Sequence, residues 1–233
     1  MNTVILNGVS STLIKGLLIQ ELPPITKPKI RTMVEEVDGR DGDIVTKLGY
    51  SAYDKEMVIG LHGNYDINQV ISFFNSEGEV IFSNEPDKFY NYQILNEIDF
   101  ERLVRFRTAK VKMHVQPFKY SAVDNNLVFS TSNITQISVT NIGNYFSRPK
   151  FTLHGSGVIN LSINGVEILT IDLGNEEYMT IDAETKNAYK DGVLKNRKVS
   201  GDYGNLNLNI GSNTISWVGT LTEIDIENYS RWI

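Results

Sequence analysis

Val158-Ile-Asn-Leu-Ser-Ile-Asn-Gly-Val-Glu-Ile-Leu-Thr-Ile-Asp-Leu173 decides the fold class. Ile159, Leu161 and Ile163 alternate with polar residues, the period of a strand with one buried face. A second apolar-rich run, Val166–Leu173, follows Asn164-Gly165. Asn-Gly between two such runs predicts a tight hairpin, because a type I′ turn needs positive φ at both central residues. Asp191-Gly192 and Asn7-Gly8 predict two further hairpins by the same chemistry.

Alternation continues to the C-terminus: Leu206, Leu208 and Ile210, then Ile215 and Trp217, then Ile224 and Ile226. Short strands at close spacing predict an antiparallel β-sandwich for residues 126–233. The preceding part, residues 1–125, reads as β-rich with one helix. In that helix, predicted over 66–76, Ile67, Val70, Ile71 and Phe74 form one apolar stripe. Asp66 is its N-cap, Gln69 completes a capping box, and Gly78 lies just past its end. Glu79–Ser83 follows as a strand. Pro117 cannot donate to a ladder and Ser121–Asn126 is polar, so the boundary between the two domains is expected after residue 125.

The chain has 233 residues and a formal net charge of −6; its mean hydropathy is −0.20. A chain this long buries roughly 70–75% of its extended surface and needs no covalent staple. Its lack of cysteine excludes disulfides and thiolate metal sites and fits a reducing compartment. No basic block is present to displace counterions from phosphate, which argues against nucleic-acid binding. Neither a signal-peptide pattern nor an apolar run of about 20 residues is present, so neither export nor a membrane-spanning helix is expected.

Val34–Ile44, VEEVDGRDGDI, concentrates acid and glycine and could be a calcium loop. A loop begun at Asp38 puts Arg40, Gly42 and Gly49 where an EF-hand needs two oxygen ligands and its closing glutamate. One begun at Asp41 puts Asp43 at the third position but Val45 and Ala52 at the fifth and twelfth. A glycine-enabled hairpin corner is the reading that remains. His62, His114 and His154 are widely spaced, and no carboxylate spacing pairs with them as a metal site would require. Neither a GxSxG elbow nor a phosphate-binding glycine loop is present, and HGSG at 154–157 reads as a bulge beside a strand. No catalytic, cofactor-binding or metal residues are assigned, and no enzyme is expected. The aromatic residues could form a sugar-stacking platform, but core and inter-subunit packing accounts for most of them.

The order of several segments resembles the distal tail proteins of long-tailed, non-contractile bacteriophages, the Dit family. They are ILNGVSS at 5–11, LLIQELPP at 17–24, the turn Gly39-Arg40-Asp41-Gly42-Asp43, and Leu48-Gly-Tyr50. GEVIFSNEPDKFYNYQI at 78–94 follows, then VQPFKY at 115–120 with Pro117, Phe118 and Tyr120. NIGNYFSRPKFTLHGSG at 141–157 and the closing Ser230-Arg231-Trp232-Ile233 complete the set. The resemblance covers nearly the whole chain. It implies a virion structural protein at the distal end of the tail, assembled in the bacterial cytoplasm. Its N-terminal domains would close a ring, typically of six subunits, and its C-terminal domains would be galectin-like β-sandwiches. That ring would join the tail tube protein to the tape-measure protein and to tail-tip, baseplate or receptor-binding proteins, with DNA passing through its channel. An acidic lumen would keep DNA from sticking. The alternative is an adhesin module that binds host cell-wall saccharides, although a second domain of about a hundred residues has no room for an inserted carbohydrate-binding module.

Overall fold

A computed structural model describes residues 1–123, 126–227 and 230–233. The chain divides into two compact units, residues 1–122 with Ile233, and residues 123–232. The boundary expected after residue 125 falls outside the described residues. Strand dominates both units, as alternation predicts.

The first unit is built on an antiparallel sheet. Its order is Val9–Ser10, Val4–Leu6, Glu77–Phe82, Lys88–Gln93, Thr108–Ser121, Tyr53–Leu61, Leu17–Glu21. Inward-facing Met57, Ile59, Val80, Phe82, Val111, Met113 and Val115 are buried together with Val4 and Leu6. Two helices contribute to this core, where one was expected. Ile67–Phe73 is capped by Asp66, whose carboxylate accepts from the N–H groups of Asn68 and Gln69. The reciprocal arm of the capping box does not form, because the Gln69 side chain accepts from the Lys15 N–H, 3.0 Å away. The helix ends at Phe73, short of the expected Ser76, and buries Phe73 while Ile71 is exposed.

Gly78 is no helix terminator. It lies inside Glu77–Phe82 with φ of 142°, and a Cβ there would overlap the Asn7 side chain. Asn7 occupies that space, accepting from the Glu79 N–H at 2.8 Å and donating to the Glu77 carbonyl at 3.1 Å. The second helix, Phe100–Phe106, is capped by Asp99 and buries Leu103 alone. With Val104 and Phe106 exposed, it presents no apolar stripe for a periodicity search to find.

In the second unit two long strands, Lys150–Ile163 and Gly211–Glu227, pair along most of their length. The register between them shifts at His154/Gly155 and again between Ser156 and Asn160, which is the bulge that HGSG predicts. Before the bulge, Lys150–His154 pairs with Tyr178–Asp182, and Glu223–Glu227 pairs with Asn126–Ser130. Beyond it, Gly157–Ile163 pairs with Val166–Gly174, and Gly211–Ser216 pairs with Gln136–Asn141. The two long strands thus pass from one layer of a sandwich to the other at a bulged corner.

All three predicted hairpin turns have positive φ at both central residues: Asn7 and Gly8, Asn164 and Gly165, Asp191 and Gly192. A further bulge opposite Leu161 inserts Ile168, which explains why Ile168 and Leu169 are both buried. The strand expected across Leu206–Ile210 does not form. Leu206 and Leu208 are buried beside a short 3₁₀ turn, and Ile210 is exposed.

Candidate functional site

Ile30–Glu36 and Asp43–Tyr50 form a hairpin that is a sheet by itself. Val34 lies directly opposite Val45, and Glu36 opposite Asp43. Between them, Gly39 and Gly42 take φ of 79° and 77°, and the Arg40 N–H donates to the Val37 carbonyl. Gly39, Arg40, Asp41 and Gly42 therefore make a solvent-exposed corner, as the glycine spacing predicts. Met33, Val34, Val37, Val45 and Leu48 are also exposed on this hairpin. A two-stranded ribbon is marginal in water by itself, and these exposed apolar side chains, four on the strands and Val37 beside the turn, make it a candidate contact surface.

The proline of VQPFKY does not interrupt the sheet. Pro117 lies within Thr108–Ser121, which continues past it to pair Lys119 with Tyr90 and Ser121 with Lys88. The ladder tolerates Pro117 because the register against Lys88–Gln93 shifts between Tyr90 and Tyr92, and pairing with Tyr53–Leu61 ends at Val115. Phe118 packs edge-on against Tyr50 at the base of the hairpin, with ring centres 5.8 Å apart, and Tyr120 stacks on Phe89.

Sequence reasoning missed a charged cluster beneath these residues. Lys55, Glu85, Lys119 and Tyr90 are all buried. Lys119 Nζ lies 2.6 Å from Glu85 Oε1, and Tyr90 donates its hydroxyl to the other Glu85 oxygen. Lys55 Nζ donates to the Pro24 carbonyl at 2.8 Å and sits 4.8 Å from the Tyr90 ring centre. Burial pushes the Lys55 ammonium down to about 8, with Glu85 opposing and Lys119 adding to the shift. Burial, then the bond to Glu85, raises the Tyr90 hydroxyl far above its ordinary value. The cluster ties the Pro23-Pro24 segment to the sheet. Nothing in the Lys55, Glu85 and Lys119 spacing signals it, because strand pairing and the turn at 83–87 together bring the three into contact.

Arg231 is a buried packing residue. Its Nε donates to the Phe146 carbonyl, its guanidinium lies 4.5 Å from the Phe146 ring centre, and Glu184 pairs with it at 3.7 Å. Trp232 follows in the short strand Arg231–Trp232.

His154 does gather carboxylates, contrary to the sequence reading. Its Nε2 stands 3.7 Å from Asp225 Oδ2 and 3.9 Å from Glu223 Oε1. The two acids alternate on Gly211–Glu227, and only the pairing of that strand with Lys150–Ile163 sets them beside the imidazole.

The β-rich unit bearing a two-stranded hairpin, followed by an antiparallel β unit, is a fold also seen in solved phage tail structures. The whole chain is similar to the crystal structure of the SPP1 Dit (gp 19.1) protein, described as a paradigm of the hub adsorption apparatus in phages that infect Gram-positive bacteria. That match has a TM-score of 0.67 at 13% identity and covers 100% of both chains. A chain of the phage P2 baseplate in its activated conformation with Ca is also similar, with a TM-score of 0.53 at 8% identity over 100% of this chain and 98% of that one. The same baseplate with Sr gives 0.53 at 9% identity over 98% and 97% of the two chains. No family model and no curated protein matches the sequence. The resemblance read from the ordered segments is thus borne out at the level of fold.

Proposed function

We infer that this chain is a structural component of a phage or prophage tail, a distal tail protein whose copies close a ring between the tail tube and the tail tip. The observation that carries this reading is the likeness to the SPP1 Dit hub across the full length of both chains. The exposed Ile30–Tyr50 hairpin supports it, since a ring is a heterologous assembly in which one face of each copy must meet a different face of the next. In this reading the first unit forms the ring, the hairpin reaches the neighbouring copy, and the second unit is available to tip or baseplate proteins. The role is structural, without catalysis, and DNA passes through the centre unread.

Size-exclusion chromatography with light scattering tests the ring. A concentration-dependent species of about six subunits is expected. A chain that stays monomeric both alone and with the tail tube and tip proteins of the same phage overturns it.

A further inference from the structure

We propose that His154, Glu223 and Asp225 form a binding site for a first-row divalent metal ion on the outer face of the second unit's sheet. One nitrogen and two carboxylate oxygens, one from each side chain, lie within 4.8 Å of one another. A four-coordinate ion with bonds of about 2.0–2.2 Å holds neighbouring ligand atoms roughly 3.3–3.6 Å apart, so the 3.7 and 3.9 Å separations need only a small side-chain rotation to close.

The placement follows from register. His154 is directly opposite Glu223, and Thr152 is opposite Asp225, so alternation puts all four on the face away from the core residues Phe151, Leu153 and Ile224. The imidazole is oriented from its other side by Tyr178, which stacks on it with ring centres 5.4 Å apart. Tyr178 is in turn held by its hydroxyl, 2.6 Å from Asp191. The stacking limits rotation of the imidazole.

A second observation points to a ligand. Asp225 Oδ1 is shielded from solvent and has no hydrogen-bond partner among the described residues. A shielded carboxylate oxygen without a donor is costly; Oδ2 is the oxygen that faces His154, and a cation held through both oxygens of Asp225 would offset that cost. One rung along, Lys150 pairs with Glu227 at 2.6 Å, whereas the ion-pair contacts of Glu223 and Asp225 among the described residues are to His154 alone.

Mixed imidazole and carboxylate ligation favours ions such as Mn²⁺ and Zn²⁺ over Mg²⁺ or Ca²⁺, which prefer all-oxygen shells. The three groups are half-buried, which leaves coordination positions open to water or to a ligand from a docked protein. A bound ion would pin Gly211–Glu227 to Lys150–Ile163 next to the bulged corner. The site stands whether or not the chain forms a ring.

The chain's three histidines provide the test without mutation. Chelator-treated full-length protein is titrated with Mn²⁺ while the imidazole proton resonances are followed. Selective broadening of His154 ahead of His62 and His114 is expected, and calorimetry with Zn²⁺ should give one saturable site per chain. His154→Gln and Asp225→Asn, each checked for native circular dichroism, should weaken Zn²⁺ binding at least about tenfold. Equal or absent broadening of the three histidines overturns the proposal. So does Zn²⁺ affinity within twofold of the parent in either folded variant.

Discussion

The ammonium of Lys119 lies 2.6 Å from Glu85 Oε1, with both side chains more than nine-tenths buried. A pair so buried contributes little net stability when intact, yet removing one partner strands the other in a poorly solvated site. Lys119→Met is therefore expected to destabilise the first unit by about 3–5 kcal/mol. Lys119→Met combined with Glu85→Leu should recover part of that, leaving the cost of an unpartnered Tyr90 hydroxyl, about 1–3 kcal/mol. Urea unfolding of the full chain measures both. A double variant that loses the sum of what Lys119→Met and Glu85→Leu lose singly would show that the pair is not coupled.

Lys55 makes stability depend on pH in an unusual direction. Its folded value is pushed down to about 8, while an unfolded lysine titrates near 10.4. Between these values the unfolded chain binds the proton that the folded chain has released, so stability rises with pH. A gain of about 1–2 kcal/mol is expected between pH 8 and 9.5, absent in Lys55→Met. Above about pH 10 the sign reverses, because Tyr53, Tyr90 and Tyr92, all raised by burial, keep protons that unfolded tyrosines lose. Denaturant midpoints across pH 7–11 should pass through a maximum; a monotonic fall through pH 8–9.5 contradicts this account.

Gly155 is required for space and not for its backbone angle. A Cβ there would run into the Thr220 carbonyl on the paired strand, a backbone atom that cannot swing aside. Gly155→Ala should cost about 1–3 kcal/mol through displacement of the bulge. Gly157→Ala meets open space and pays only for its φ of 74°, about 1 kcal/mol. Thermal unfolding should rank the two in that order.

Arg231 should prove a stability determinant. Arg231→Lys keeps the charge but loses the planar stacking on Phe146 and the geometry of the bond to its carbonyl. A loss of about 1–3 kcal/mol is expected, and more for Arg231→Ala. Both tryptophans, Trp217 and Trp232, lie in the second unit. Intrinsic fluorescence during denaturation therefore reports this change directly, and unchanged midpoints would show that these contacts do not contribute to stability.

The exposed hairpin should matter to assembly and little to folding. Val34 faces Val45 across the ribbon, and both are solvent-exposed. Val34→Asp with Val45→Asp places like charges opposite each other on a proposed contact face. Loss of the ring, with the unfolding midpoint changed by no more than about 0.5–1 kcal/mol, is expected from light scattering and denaturation together. A ring that survives the double change removes the hairpin from the interface.

Local chemistry determined much of this protein from its sequence alone. Asn-Gly and Asp-Gly pairs set three hairpins, because positive φ at two successive residues is a property of those residues wherever they stand. Alternation in Val158–Leu173 and its successors set the sandwich, and the glycines of GRDGD set an exposed corner. Short or interrupted signals misled or stayed silent: Phe100–Phe106 has one buried anchor, Gly78 answers to Asn7 across a strand pair, and Pro117 is absorbed by a register shift. The Lys55–Glu85–Lys119 cluster and the His154–Glu223–Asp225 group were decided by tertiary structure alone. Each joins residues distant in sequence across paired strands, with Glu85 carried on the turn at 83–87, and strand pairing depends on burial summed over a whole face, which no single residue's neighbours in the sequence encode.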